Sequence, residues 1–214
     1  MSGYLKAKGV DIKKRRATYD SVTGGTLTPK KRNIAQAELN KMLVNTEAAA
    51  TLYWADMVKS QKIVYMKAIK NCKTKKCRDD KAHLKGPQYA NTPKDGKNGK
   101  WLGPRGDSVW QPSQGRPPIT YMNGFPDYGP HSGGDMKLSM RGNHTTDFTD
   151  ARNAKRIKLN DLNWKTPKTD TWHHKEDGVT MQLIPKSIHA TGAGATTPHM
   201  GGASLYTGGN TAGF

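Results

Sequence analysis

The chain has 214 residues, which suits one ordinary domain or a compact domain with an extension. Lys and Arg number 35 against 17 Asp and Glu, so the formal net charge is +18. The sequence lacks the roughly 18 consecutive apolar residues that a membrane-spanning helix needs, and its N-terminus lacks the apolar segment of an ordinary secretion signal. We therefore expect no membrane span. Nucleic acid is the leading partner class, because so large a positive excess repels itself unless a polyanion compensates it.

The first 86 residues hold most of this excess, with 20 Lys and Arg against 7 Asp and Glu. Residues 1–28 are basic and then rich in Thr and Gly, which predicts a flexible arm. Pro29 suits the first position of a helix, and apolar residues then recur at steps of three and four. This pattern predicts a helical extension over residues 29–86, built from one long helix or two shorter ones.

The only two cysteines, Cys72 and Cys77, lie in a basic connector with His83 nearby. A zinc site is one interpretation, but the spacing lacks a second pair of ligands. A local disulfide or two free thiols is favoured instead.

Residues 87–130 are interrupted by Pro and Gly at short intervals, yet they carry several aromatic side chains. This composition predicts short strands or ordered loops packed against another part of the protein. Residues 147–159 then have the character of a three-turn helix. The expected fold class is α+β.

Four of the seven histidines fall within 27 residues near the C-terminus: His173, His174, His189 and His199. Residues 169–174 predict a strand, Asp-Gly in the KEDG segment predicts a hairpin turn, and residues 179–184 predict the return strand. Pro185 ends that strand, and a short helix is expected to carry His189.

This arrangement suits metal-dependent phosphodiester hydrolysis. Adjacent residues on a strand point to opposite faces unless a twist or bulge brings both to one pocket. One imidazole of the HH pair can then hold a metal ion while its neighbour deprotonates water. The alternative is an ordinary strand feature in a non-catalytic, basic nucleic-acid-binding protein whose histidines hold a structural metal.

The segment TWHHKEDGVTMQLIPKSIH followed by PHMGG resembles the C-terminal signature of the WHH nucleases of the HNH/endonuclease VII superfamily, which are toxin domains of bacterial polymorphic toxin systems. The upstream segments GPRGDSVW, ITYMNGFPDY and MRGNHTTDFTDARNA also resemble that family, so the likeness covers about residues 102–205. It implies a nuclease domain over residues 87–214 with a ββα-metal (HNH/His-Me finger) core at about residues 169–205, behind the N-terminal helical extension.

The resemblance also implies roles for individual residues. His173 corresponds to a metal ligand and His174 to the general base, with His189 and His199 completing the metal site. Nine residues separate His189 from His199, so His199 either reaches the ion from a loop or contacts phosphate instead.

Arg141, in the segment MRGNH, is a candidate catalytic residue, because an arginine can hold a phosphate with two hydrogen bonds and stabilise transition-state charge. The competing interpretation is a surface arginine or one paired with Asp147 or Asp150.

The expected function is a metal-dependent endonuclease, a DNase toxin effector in competition between bacteria, with RNase activity as an alternative. The expected cofactor is a divalent ion: Zn²⁺, Mg²⁺, Mn²⁺ or Ni²⁺. The resemblance implies an immunity protein, for which we expect an acidic surface. We expect synthesis in the bacterial cytoplasm and secretion, by a type VI system for example, into the cytoplasm of a target cell.

The basic rows of the N-terminal region are candidate nucleic-acid contacts: Lys13, Lys14, Arg15, Arg16, Lys30, Lys31 and Arg32. Alternatively, this region docks to a secretion apparatus or a chaperone.

Overall fold

The computed structural model describes residues 5, 8–113, 115–189 and 197–207. Its helices are α1 (Ile12–Thr23), α2 (Pro29–Ile69), α3 (Lys75–Asp80), α4 (Pro87–Ala90), α5 (His144–Leu159) and α6 (Ser204–Thr207). Its strands are β1 (Gly99–Trp101), β2 (Val109–Pro112), β3 (Ile119–Met122), β4 (Phe125–Pro126), β5 (Asp135–Lys137), β6 (Asp170–His174) and β7 (Thr180–Pro185). Two short 3-10 helices occupy Ala82–Lys85 and Gly129–His131.

Helix α1 lies within the segment that the sequence predicted to be a flexible arm. It begins after Asp11, whose carboxylate caps the helix by accepting a 2.8 Å hydrogen bond from the N–H of Lys14. Arg15 and Tyr19 are four residues apart, so they share a face, and both are buried. Residues 12–23 are therefore a packed helix, because one face of the segment is covered by the rest of the protein.

Helix α2 is continuous over 41 residues, about 60 Å. The single long helix is thus the alternative that the structure adopts. Its buried residues recur at helical spacing: Leu39, Leu43, Thr46, Ala49, Ala50 and Trp54. Beyond Trp54 the helix is more exposed and includes the uncovered apolar side chains of Ile63 and Val64.

Cys72, in the connector after α2, forms a disulfide with Cys77 of α3. Their sulfurs are bonded to each other, so the zinc interpretation of this pair is wrong.

Strands β1 to β4 form an antiparallel meander in the region of frequent Pro and Gly. Trp101 and Trp110 are direct partners across β1 and β2, with ring centroids 5.3 Å apart. The buried cluster on this sheet consists of Trp101, Trp110, Ile119, Tyr121, Tyr128, Ile184 and Ile188. Because its last two members come from β7 and the turn after it, the meander packs against the second sheet.

The second sheet has the order β5-β7-β6 and is antiparallel throughout. The turn between β6 and β7 contains Gly178 at φ 71°, a conformation that glycine adopts at little cost. The Asp177 carboxylate accepts the N–H groups of Val179 and Thr180 at 2.9 and 2.8 Å. The predicted Asp-Gly hairpin is confirmed.

Alternation along β6 places neighbouring side chains on opposite faces of this sheet. Trp172 belongs to a buried cluster with Tyr19 of α1, Leu43 of α2 and Ala151 of α5. His173 faces the other way, towards Tyr128 of the meander region. The three-stranded sheet therefore lies between the helices and the meander.

The α+β fold class with a helical N-terminal region is confirmed. The prediction of a short helix that carries His189 is wrong, because His189 lies in a turn directly after β7. Residues 190–196 lie outside the described residues. Helices α1 and α2 contribute to the same buried cluster as β6 and β7, so the helical region packs directly on the sheet that carries the histidines. Among the described residues, the helices are too short or too polar to cross a membrane.

Candidate metal centre and the neighbouring His–Asp pair

Three imidazoles converge on one face of the second sheet. His173 comes from β6, His189 from the turn after β7, and His199 from the irregular segment before α6. His173 Nδ1 lies 3.2 Å from His189 Nε2 and 3.3 Å from His199 Nε2. All three candidate ligand nitrogens lie within 4.8 Å of one another.

These distances fit a small divalent ion. A tetrahedral ion with metal–nitrogen bonds of about 2.0–2.1 Å holds its ligand nitrogens about 3.3–3.4 Å apart. The His199 Nδ1–H donates to the Thr197 carbonyl at 2.8 Å, which leaves the Nε2 lone pair directed at the centre. A proton on His173 Nδ1 can be donated well to only one of the two neighbouring Nε2 atoms, so at least two nitrogen lone pairs face each other. A metal ion bound between them relieves this repulsion.

The environment keeps the three rings neutral. Burial lowers the pKa of His189 to about 3, helped by the charge that His199 carries when protonated. Burial also lowers the pKa of His199 to about 4, and that of His173 to well below its ordinary value. Because a metal ion binds a neutral imidazole, no imidazolium has to lose its charge before an ion binds at neutral pH.

Tyr128 braces this centre from the meander side. Its ring centroid lies 4.9 Å from that of His173, 5.4 Å from His189 and 5.5 Å from His199. Its hydroxyl donates to Thr197 Oγ1 at 2.8 Å, and the Thr197 hydroxyl in turn donates to a backbone carbonyl in the turn before His189. Tyr128 thus joins the two chain segments that supply the second and third imidazoles.

His174 points to the opposite face of β6 and pairs with a carboxylate. Its Nε2 lies 3.0 Å from Asp147 Oδ2, and both side chains are buried. Asp147 lies in the first turn of α5 and also accepts the backbone N–H groups of Arg141, Gly142 and Asn143 at 2.8–3.1 Å. Burial alone would raise the pKa of Asp147, but these hydrogen bonds outweigh it and hold the pKa below its ordinary value.

Asp147 is therefore ionised and can only accept. The proton of this hydrogen bond must be carried by His174 Nε2, which leaves the lone pair of a neutral ring on Nδ1. Such an arrangement fixes the tautomer of a histidine that takes up a proton.

Comparison with known proteins agrees with this geometry. Residues 163–209 match the family model WHH, a nuclease of the HNH/ENDO VII superfamily with conserved WHH. This match covers 47 of the 214 residues and includes both β6 and β7. No curated protein matches the chain. The predicted resemblance is confirmed over residues 163–209, and the prediction of a phosphodiester-hydrolysing enzyme is confirmed.

The matched residues 163–209 contain all four predicted histidines but neither Asp147 nor Tyr128. Sequence reasoning considered Asp147 only as an alternative partner of Arg141 and assigned no role to Tyr128. Asp147 stands four residues after a helix-capping Asn143, a pattern that indicates a helix start and gives no sign of a histidine partner. Tyr128 is one of several aromatic residues among turns, and nothing local distinguishes it.

Arg141 belongs to the segment that holds Asp147, on the His174 side of the second sheet. Its backbone N–H holds Asp147, while its side chain is exposed and lies 3.9 Å from Asp20 of α1. The structure thus shows a surface guanidinium near a carboxylate, and the catalytic role of Arg141 stays a prediction.

The basic N-terminal residues fall into two groups. Arg15 is fully buried, so the prediction that it binds nucleic acid is wrong: its guanidinium is enclosed by protein acceptors. Arg16 is largely covered and paired with Asp20 and Asp150. The other five are exposed: Lys13, Lys14, Lys30, Lys31 and Arg32. Of these, Lys14 pairs with Glu38 at 2.7 Å.

Proposed function

We propose that the protein is a DNA endonuclease in which His173, His189 and His199 hold a divalent ion and His174 is the general base. The observation that carries this proposal is the convergence of three neutral imidazoles inside a WHH nuclease domain. The adjacent His174 has a carboxylate partner that fixes its tautomer.

The chemistry assigned to this chain is proton transfer from water. His174 Nδ1 takes a proton as water attacks phosphorus, and the ionised Asp147 stabilises the imidazolium that forms. When bound, a divalent ion at the three imidazoles supplies positive charge that polarises the scissile phosphate and stabilises the leaving oxygen. Since His173 and His174 are consecutive and His174 ends β6, the substrate phosphate has to lie at the end of this strand to meet both.

The donor set favours zinc or nickel among the four predicted ions. Imidazole nitrogen suits Zn²⁺ and Ni²⁺, whereas Mg²⁺ and Mn²⁺ prefer oxygen ligands. The three nearest candidate donors are all nitrogens.

The biological role that we propose is that of a toxin effector, delivered by a secretion system into the cytoplasm of a competing bacterium. The match to a nuclease family and the net charge of +18 support activity on a polyanion. The same charge favours an acidic immunity protein as the inhibitor in the producing cell.

The test uses chelator-treated full-length protein on supercoiled plasmid and on structured RNA, with Zn²⁺, Ni²⁺, Mn²⁺ or Mg²⁺ added singly. We expect nicking of the plasmid with Zn²⁺ or Ni²⁺, and none by His174→Ala under the same conditions. Cleavage of RNA alone would replace DNA by RNA in the proposal. Equal cleavage by wild type and His174→Ala under every ion would contradict it.

A second readout addresses the toxin role. Expression in a bacterial host without an inhibitor should stop growth for the wild type and leave the His174→Ala strain unaffected. A strain that grows equally well with either form, despite active purified protein, would contradict the toxin role alone.

A further inference from the structure

Arg15 of α1 lies buried at the junction of four chain segments. Its exposed fraction is 0%, and its guanidinium donates to Ser139 Oγ at 3.0 Å and to Thr46 Oγ1 at 2.9 Å. It also donates to the Met140 carbonyl at 3.0 Å and to the Tyr206 hydroxyl at 3.1 Å. A fully buried guanidinium is stable only when such acceptors surround it.

One branch of this network leads to the carboxylate partner of His174. Arg15 fixes Ser139 and Met140, and Arg16 adds a 3.3 Å hydrogen bond to the Ser139 carbonyl. The next three residues along the chain, 141–143, are those whose N–H groups hold the Asp147 carboxylate. The segment that fixes Asp147 therefore begins at the contacts of Arg15.

The other branch leads to the hairpin that carries His174. The Tyr206 hydroxyl accepts from Arg15 and donates to the Gly178 carbonyl in the turn between β6 and β7. Trp54 of α2 reaches the same turn, because its Nε1–H donates to the Glu176 carbonyl at 3.1 Å. Both sides of the His174–Asp147 hydrogen bond are thus tied to the N-terminal helices.

We propose that Arg15 is a positioning residue for catalysis: it holds the 139–143 segment and the β6–β7 turn in the register that keeps His174 Nε2 on Asp147. This inference rests on the proposed role of His174 as general base. It assigns the helical region a part in the reaction, since a displacement of reacting groups by about 1 Å can cost about a hundredfold in rate.

The test compares four full-length variants assayed well below their melting temperatures. Arg15→Met keeps the length and removes every donor, Arg15→Lys keeps a charge with fewer directed donors, and Ser139→Ala removes one acceptor. Leu43→Ala, in the core of α2, is the control that loosens packing in the same buried cluster but removes none of the network's hydrogen bonds.

We expect Arg15→Met to lower kcat about 10- to 100-fold, with KM and zinc affinity within about twofold of wild type. The kcat of Arg15→Lys should lie between those of Arg15→Met and the wild type. Ser139→Ala should have a kcat several-fold lower than the wild type, and Leu43→Ala should keep the wild-type kcat. The ring N–H signal of His174 in a ¹⁵N-histidine NMR spectrum should shift in Arg15→Met and in Ser139→Ala, and stay in place in Leu43→Ala.

Two results would overturn the inference: a wild-type kcat in folded Arg15→Met, or zinc affinity falling in parallel with kcat. If both Arg15 variants fail to fold, Ser139→Ala decides by the same criteria. His174→Ala is run alongside. If it keeps wild-type kcat, the proposed function fails and this inference with it; if it is inactive while the network variants are fully active, only this inference fails.

Discussion

His174 and Asp147 are 27 residues apart in the chain and 3.0 Å apart in the fold, joined by a hydrogen bond between buried Nε2 and Oδ2 atoms. The carboxylate that receives this bond is held by three backbone N–H groups at the start of α5. A histidine held in this way has one fixed tautomer, which is what a general base requires.

Removing the carboxylate should slow the reaction without emptying the metal centre. We expect Asp147→Ala to lower kcat roughly 100-fold, because His174 loses the partner that fixes its proton. Asp147→Asn should lose less, since its amide oxygen can still accept from His174. Leaving the three N–H groups buried and unpaired should cost Asp147→Ala about 1–3 kcal/mol of stability. Plasmid-nicking kinetics and zinc titration check these expectations; zinc affinity that falls together with kcat would contradict the separation of the two sites.

Tyr128→Phe should weaken metal binding. The variant loses the hydroxyl that donates to Thr197 and so frees the segment that carries His199. We expect about a tenfold loss of zinc affinity and about 1 kcal/mol of stability. Tyr19→Phe, a buried tyrosine on α1 outside the centre, is the control. Isothermal titration measures the affinities, and an affinity of Tyr128→Phe equal to that of the control would contradict the bracing role.

Glu176 should make the protein less stable at higher pH. Burial raises the pKa of Glu176 to about 7, above its ordinary value of 4.5. Between pH 4.5 and about 7, the Glu176 carboxyl is neutral in the folded protein but ionised in the unfolded chain. Its contribution to stability is therefore complete below pH 4.5 and is lost as the pH rises through 7.

The matching experiment is urea denaturation of wild type and Glu176→Gln at several pH values. The unfolding free energy of Glu176→Gln minus that of the wild type should increase between pH 4.5 and 8, by about 3 kcal/mol at most. Other titrating groups cancel in this difference because both proteins carry them. A difference that stays constant over this range would contradict the expectation.

The exposed basic row at the start of α2 should contribute to DNA binding. Replacing Lys30, Lys31 and Arg32 by Ala in a His174→Ala background should weaken DNA affinity and lower the salt slope of log Kd by about one for each phosphate that the variant no longer neutralises. An equal charge change at the exposed Lys158, Lys165 and Lys168 controls for net charge. Equal weakening by both triples would contradict a specific role for residues 30–32.

The parts of the site that sequence could predict are local ones. The β6–β7 hairpin follows from period-two alternation and an Asp-Gly turn, which depend on neighbouring residues alone. The resemblance supplied His189 and His199 as ligands, although nothing in their spacing shows that two loop segments bring them to His173. The length of α2 stayed open, because an apolar stripe of this kind fits one helix or two.

The errors have a physical cause as well. Arg15 and its neighbours form one basic run in the sequence, and such runs are usually solvent-exposed. The structure fully buries Arg15 and largely covers Arg16, which lie four and three residues before the buried Tyr19. This distinction is visible only after residues 12–23 are recognised as a helix. Asp147 and Tyr128 escaped prediction because their contacts join segments tens of residues apart.

Zinc titration of His173→Ala and His174→Ala, measured by calorimetry on chelator-treated protein, tests the central claim most directly. The two variants change neighbouring residues of one strand that face opposite sides of the sheet. We predict that His174→Ala binds one zinc ion with wild-type affinity. The zinc affinity of His173→Ala should fall more than about 100-fold, which exceeds the loss expected when a residue that only supports the ligands is changed. Wild-type zinc affinity in His173→Ala, or an equal loss in both variants, would contradict the account.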